Sequence, residues 1–311
     1  MTTKLNCAVI GAGYLGKFHA QKYAQSEHAN LLAVVDSHPD TALAIASAHG
    51  CRAETDYRAI LKQVDAVSIV VPTSLHYAIA KDCLDAGVHV LVEKPMTVSL
   101  EEADDLIARA EHNGVCLAVG HLERFNPAVL GLGDNRETPL FIESHRLSPF
   151  NPRANDVSVV LDLMIHDIDI ILALVDSKVE RIDASGGAVL TSGLDIANAR
   201  LNFAGGCVAN VTASRISLKS ERKMRLFRPS CYESVDFQNR ILTRHRTGDK
   251  EMFPGVPEII SEESVYPDAD ALNAEIRDFI DAILSQRPPK VTGHDGRKAL
   301  ETALAITRMI C

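Results

Sequence analysis

Cys7-Ala8-Val9-Ile10-Gly11-Ala12-Gly13-Tyr14-Leu15-Gly16 decides the fold. An apolar run of strand type breaks into glycines spaced G-x-G-x-x-G, and a helical pattern (Leu15, Phe18, His19, Tyr23) takes over. Gly11 allows a sharp turn, Gly13 leaves room for a pyrophosphate against the backbone, and Gly16 lets the helix pack on the strand. The helix start offers N–H groups and a positive dipole end to phosphates. A second strand, Leu31 to Val35, ends in Asp36, twenty residues after Gly16, where a carboxylate accepts hydrogen bonds from the adenosine ribose. A glycine-rich turn that binds nothing would need none of this context. The stretch predicts a dinucleotide site built from Gly11, Gly13, Tyr14, Leu15, Gly16 and Asp36.

Outward from it, apolar runs alternate with helical segments. Strands are expected at Asn6–Ile10, Leu31–Val35, Ala66–Val71, Val88–Val92 and Cys116–Gly120. Helices are expected near Leu15–Ser26, Thr41–His49, His76–Ala86 and Ser99–Asn113, the last opened by Ser99 with Glu102 at capping-box spacing. That alternation predicts an α/β Rossmann domain, a doubly wound parallel sheet over residues 1–121, with its ligand crevice beyond the carboxyl ends of the strands. After His121 the pattern changes. A long helix is expected over Val159–Leu174, preceded by a strand at Phe141–Arg146. Strands follow at Glu180–Gly186, Asp195–Phe203, Cys207–Ser214, Lys223–Phe227 and Tyr232–Phe237. Thr247–Pro267 reads as an extended loop, and helices near Ala271–Ser285 and Asp295–Met309 close the chain. Residues 122–311 therefore read as an α+β domain with a largely antiparallel open sheet, for substrate binding and oligomerisation.

The bulk properties agree with this picture. The chain has 311 residues, enough for two domains, and 46% hydrophobic and 23% charged residues are ordinary for a globular protein. A formal net charge of −9 excludes a generally basic nucleic-acid footprint. No apolar run is long enough for a membrane span, and the immediate first strand leaves no room for a signal peptide. The seven cysteines are scattered, without metal-ligand spacing, which points to reduced thiols and a cytoplasmic location. No metal is expected.

Three further stretches leave strand ends: Val71-Pro72-Thr73-Ser74-Leu75-His76, Val92-Glu93-Lys94-Pro95, and His121-Leu122-Glu123-Arg124-Phe125-Asn126-Pro127. Lys94, following a buried strand, is placed to donate to a substrate hydroxyl and favour developing negative charge; the alternative is an ordinary surface lysine. In Asp162-Leu163-Met164-Ile165-His166-Asp167, Asp162 and His166 are four apart and share a helix face. A carboxylate beside an imidazole makes a better base near neutral pH, and two polar groups in an apolar segment need a reason. Asp167 reads as a structural hydrogen-bond acceptor.

Together, and in order over nearly the full length, these elements resemble the Gfo/Idh/MocA family of glucose-fructose oxidoreductase and inositol dehydrogenase relatives. The resemblance implies an NAD(P)-dependent dehydrogenase acting on CH–OH groups, with Lys94, Asp162 and His166 catalytic. It also implies cofactor contacts from Pro72, Thr73, His76, Glu93 and Lys94, and a substrate hydroxyl between Lys94 and His166 in an interdomain cleft. Asp36, with no arginine beside it, favours NAD over NADP. His121, Arg124, Arg146 and Arg153 are candidate substrate contacts, since guanidinium forks suit carboxylate or phosphate. The His145–Arg153 stretch resembles the subgroup that oxidises the 3-hydroxyl of UDP-N-acetylglucosamine. A sugar or UDP-sugar is therefore the expected substrate, with inositol or a simple sugar as runner-up and a non-enzymatic NAD(P)-binding sensor as the rival class. The sensor would have no use for the Lys94, Asp162 and His166 set. The open face of the second sheet implies a homodimer or homotetramer.

Overall fold

A computed structural model describes residues 4–133, 137–150 and 158–311. It contains two sheets and two compact units, neither contiguous in sequence: the residues up to Leu122 with Asp270–Arg297, and Glu123–Ala269 with Lys298–Cys311. The return of residues 270–297 to the first unit is something a left-to-right reading of strands and helices does not anticipate, because their helix carries an ordinary amphipathic pattern.

In the first unit, β1 (Leu5–Ile10), β2 (Ala29–Val35), β3 (Arg52–Glu54), β4 (Ala66–Ile69), β5 (His89–Glu93) and β6 (Leu117–Gly120) form a six-stranded parallel sheet ordered β3-β2-β1-β4-β5-β6. The strand order reverses between β1 and β4, the switch point where such sheets bind ligands. The three-residue β3 is too short to signal itself in the sequence. The helices are α1 (Gly16–Gln25), α2 (Pro39–His49), α3 (His76–Asp85) and α4 (Leu100–Asn113). Ser99 caps α4 as expected, accepting the Glu102 N–H at 3.3 Å, while Glu102 reaches back to the Val98 N–H at 3.2 Å. The core joins Cys7, Val9, Val34, Ala66 and Leu91 of the strands with Ala20 and Tyr23 of α1 and with Leu272, Ile276, Phe279 and Ile280 from the returning segment.

The second unit opens with the short helix α5 (Pro127–Leu130), then β7 (Phe141–Leu147), a π-helical turn (Val160–Met164) and α6 (Ile165–Leu174). There follow β8 (Val179–Gly187), β9 (Ile196–Phe203), β10 (Val208–Ser214), β11 (Glu221–Arg228), β12 (Cys231–Asp236), β13 (Ile241–Phe253) and β14 (Val256–Val265). The eight strands run β14-β13-β12-β11-β7-β10-β9-β8, antiparallel except where β7 meets β10. Alternation explains the core. Ala197, Ala199, Leu201, Ala209, Val211 and Ala213 face inward against Val160, Met164, Ile165, Ile168 and Ile171. On β7, β11, β12 and β13, Phe141, Phe227, Tyr232 and His245 form a ladder of rings with centroids 5.0–5.9 Å apart. The expected loop at Thr247–Pro267 is instead mostly the hairpin of β13 and β14, whose residues are largely exposed on both faces and so carry no inward–outward alternation. The last two helices are α7 (Ala271–Leu284) and α8 (Gly293–Ile310). Among the described residues no helix is long and apolar enough to cross a membrane.

Candidate active site

Each glycine of the first turn has its own job. Gly11 adopts φ +100, and a Cβ there would run into the Val70 carbonyl; a Cβ on Gly16 would strike the Gly11 carbonyl. Around the corresponding position on Gly13 there is nothing within 4 Å. This open side lies beside the start of α1, which has no side-chain cap and no acidic residue in its first turn. A pyrophosphate fits that combination of space and helix dipole. Leu15 precedes α1, and Tyr14, 79% exposed, meets Phe18 edge-on at 5.4 Å, with the Lys17 ammonium over both rings.

Asp36 stands at the end of β2 with its carboxylate already oriented. One oxygen accepts the Ala12 N–H at 2.8 Å and the other the His38 N–H at 2.9 Å. Burial alone would raise its pKa; these main-chain donors outweigh burial and hold it below the usual aspartate value. An ionised carboxylate beside the glycine turn is what the hydroxyls of a ribose require.

The loop after β4 carries Pro72, exposed, and Thr73, half-buried. His76, expected to contact cofactor or to start a helix, is the first residue of α3. Its ring is 1% exposed, and its nitrogens lie 2.9 Å from the Pro95 carbonyl and 2.9 Å from the Val71 carbonyl. Burial outweighs those two acceptors and lowers its pKa. The imidazole thus ties the loop after β4 to the loop after β5. β5 ends in Glu93 and the loop opens with Lys94, both half-buried, and the Lys94 main-chain N–H donates to the Glu93 carboxylate at 3.3 Å. His121, just past β6, is 1% exposed, a setting for a framework residue more than for a substrate contact.

In the second unit, Asp162 lies within the π-helical turn and His166 is the second residue of α6; both are half-buried. The segment is therefore not the uninterrupted α-helix that a spacing of four assumes. Single π turns inside helices recur at functional sites. Arg146 departs from expectation. Only 2% exposed, it donates to both oxygens of Asp167, with the shortest bond 2.8 Å, and to Glu123 at 2.8 Å. Burial opposes its charge, but Asp167 and Glu123 outweigh it and raise the guanidinium pKa further. Arg146 is an internal ion-pair centre, and Asp167 is the structural acceptor expected of it. Arg124, also assigned to substrate, donates to the carbonyl and carboxylate of Asp169 at 3.3 and 3.4 Å. Arg153 lies outside the described residues. The sequence reading passes over His19 and Glu275, which the first unit brings to Glu93.

Comparisons with known proteins agree with this geometry. Residues 5–121 match the oxidoreductase family with an NAD-binding Rossmann fold, and residues 136–228 match the GFO/IDH/MocA C-terminal domain. The chain is 42% identical over 307 residues to a UDP-N-acetylglucosamine 3-dehydrogenase of Acidithiobacillus ferrooxidans, covering 97% of this chain and 96% of that one. A crystal structure of that enzyme superimposes with a TM-score of 0.93, at 41% identity, covering 99% and 97% of the two chains. An inositol 2-dehydrogenase of Rhizobium meliloti is 26% identical, with 97% and 96% covered. A levoglucosan dehydrogenase in complex with NADH, 19% identical, shares the fold with a TM-score of 0.87 over 99% of this chain and 97% of that one. The chain belongs to the Gfo/Idh/MocA oxidoreductase family and is an NAD(P)-dependent dehydrogenase.

Proposed function

We propose that this dehydrogenase oxidises the 3-hydroxyl of UDP-N-acetylglucosamine with NAD. The carrying observation is the 42% identity to an enzyme of that name over nearly the whole of both chains. Bound NAD supplies the hydride acceptor. The protein's part begins with the uncapped start of α1 and the open side of Gly13, which hold the pyrophosphate. Asp36 accepts hydrogen bonds from the adenosine ribose, and its negative charge works against a 2′-phosphate. His166, oriented by Asp162, takes the hydroxyl proton. Lys94 donates a hydrogen bond to the oxygen as it becomes alkoxide-like, and Arg153 meets the diphosphate.

The remote UDP group positions the sugar, so removing it should cost rate as well as binding. UDP-N-acetylglucosamine with NAD should yield NADH and a ketone that hydrazine traps, while free N-acetylglucosamine should be a very poor substrate. Replacing Arg153 should raise KM for the UDP-sugar more than for truncated analogues. No NADH from that pair, with clear turnover of free inositol or a simple sugar, would reject this substrate.

A further inference from the structure

Next to Lys94 in the chain, half-buried Glu93 meets two buried ionisable side chains drawn from distant parts of the sequence. His19 of α1 is 0% exposed, and its Nε2 lies 3.2 Å from a Glu93 oxygen. Glu275 of α7 is 2% exposed, and neither of its oxygens has a hydrogen-bond partner. One ligand-type atom from each of the three lies within 4.8 Å of the others. Tyr23 of α1 also faces this region, its hydroxyl paired with Ser68 at 2.8 Å. Asp278, on the same helix as Glu275, is paired with Arg287. The Glu93 carboxyl packs against Gly120, where a Cβ would stand 2.9 Å from it.

The charges do not balance if both glutamates are ionised. An ionised Glu275 would face the Glu93 carboxylate across one imidazole, with Asp278 adding further negative charge, and poorly compensated buried charge is strongly unfavourable. The system lowers its energy by taking up a proton, as closely spaced carboxylates do. Burial, then Glu93, then Asp278 all push the Glu275 pKa upward.

We propose that Glu275 is a neutral carboxylic acid at physiological pH and a positioning residue for Lys94. Uncharged, it leaves the Glu93 carboxylate in place beside His19, and Glu93 in turn accepts the Lys94 main-chain N–H. Ionised, it would repel Glu93 and displace the segment that carries Lys94. The turnover readout rests on the role proposed for Lys94; the spectroscopic readout does not.

The experiment compares the intact enzyme with Glu275→Gln, a neutral side chain of the same shape. Infrared difference spectra at neutral pH should show a protonated-carboxyl band in wild type that is missing from the variant. The band should fade in wild type as the pH is raised, a measurement that needs no variant and no substrate. Glu275→Gln should keep kcat within about threefold, and its alkaline loss of turnover should move up by about one pH unit or more. Absence of the band would overturn the protonation. An unchanged alkaline limb with the band lost, or a folded variant with kcat reduced well beyond that range, would overturn the coupling to Lys94. A divalent metal retained at about one per chain by wild type and lost in Glu275→Gln would replace the proton with a metal site.

Discussion

Two buried clusters of charge, one in each unit, solve the same problem in opposite ways. In the second unit Arg146 lies between Asp167 and Glu123, and its fork engages both with bonds as short as 2.8 Å. In the first unit Glu93 and Glu275 approach one another around the His19 imidazole. The first arrangement is an ion network in which one guanidinium serves both carboxylates and Arg222 stands 3.9 Å from Glu123, although burial still pushes the Asp167 pKa up. The second leaves its charge balance to a proton, which makes it sensitive to pH and places that sensitivity beside Lys94. Buried carboxylates therefore carry different meanings according to what neutralises them.

The largest expected effect follows from breaking the arginine network. Arg146→Met strands two carboxylates inside the second unit, and removing one partner of a buried pair costs about 3–5 kcal/mol. Denaturant titration should show that loss, whereas Glu275→Gln should stay within about 1 kcal/mol of wild type because it removes no charge from a neutral acid. Equal losses in the two variants would erase the distinction between the clusters.

The smallest effect concerns Asp36, which has no buried cationic partner and is held by main-chain donors. Asp36→Ala should reduce a several-fold preference for NAD over NADP, measured by fluorescence titration. Equal affinities in wild type would remove the proposal of NAD. The pH dependence has a definite sign. Because the folded-state pKa is lowered, the Asp36 contribution to stability is present above the unfolded-state value of about 3.9 and is lost as pH falls through the folded value. Asp36→Ala should therefore lose less stability than wild type on acidification across that window.

The same contrast explains what the sequence reveals. The glycine turn and Asp36 are legible because a local βα turn and the next strand end specify them, and five of the six strands of the parallel sheet follow from alternating apolar runs, β3 being too short to show. The sheet of the second unit is legible where one face is buried, as in β9 and β10. It is not legible from Thr247 onward in β13 and β14, where most residues are exposed on both sides; only Pro254-Gly255 between two extended runs signals a turn. Asp162 and His166 stand out by spacing, but the π turn that contains Asp162 leaves no local trace in composition. Arg146 reads as a ligand-binding cation until tertiary structure supplies its carboxylates. Glu275 is invisible from sequence because residues 19, 93 and 275 meet only once α7 joins the first unit.

The central claim, that a set of side chains carries dehydrogenation while the glycine turn holds the cofactor, is tested most directly by single substitutions assayed for both functions. With a confirmed substrate, Lys94→Ala and His166→Ala should each lower kcat by about 10²–10⁴-fold, the contribution of a positioned acid–base group. NAD affinity, measured on the same preparations, should change little. Near-wild-type kcat in either variant would make that residue structural and contradict the mechanism.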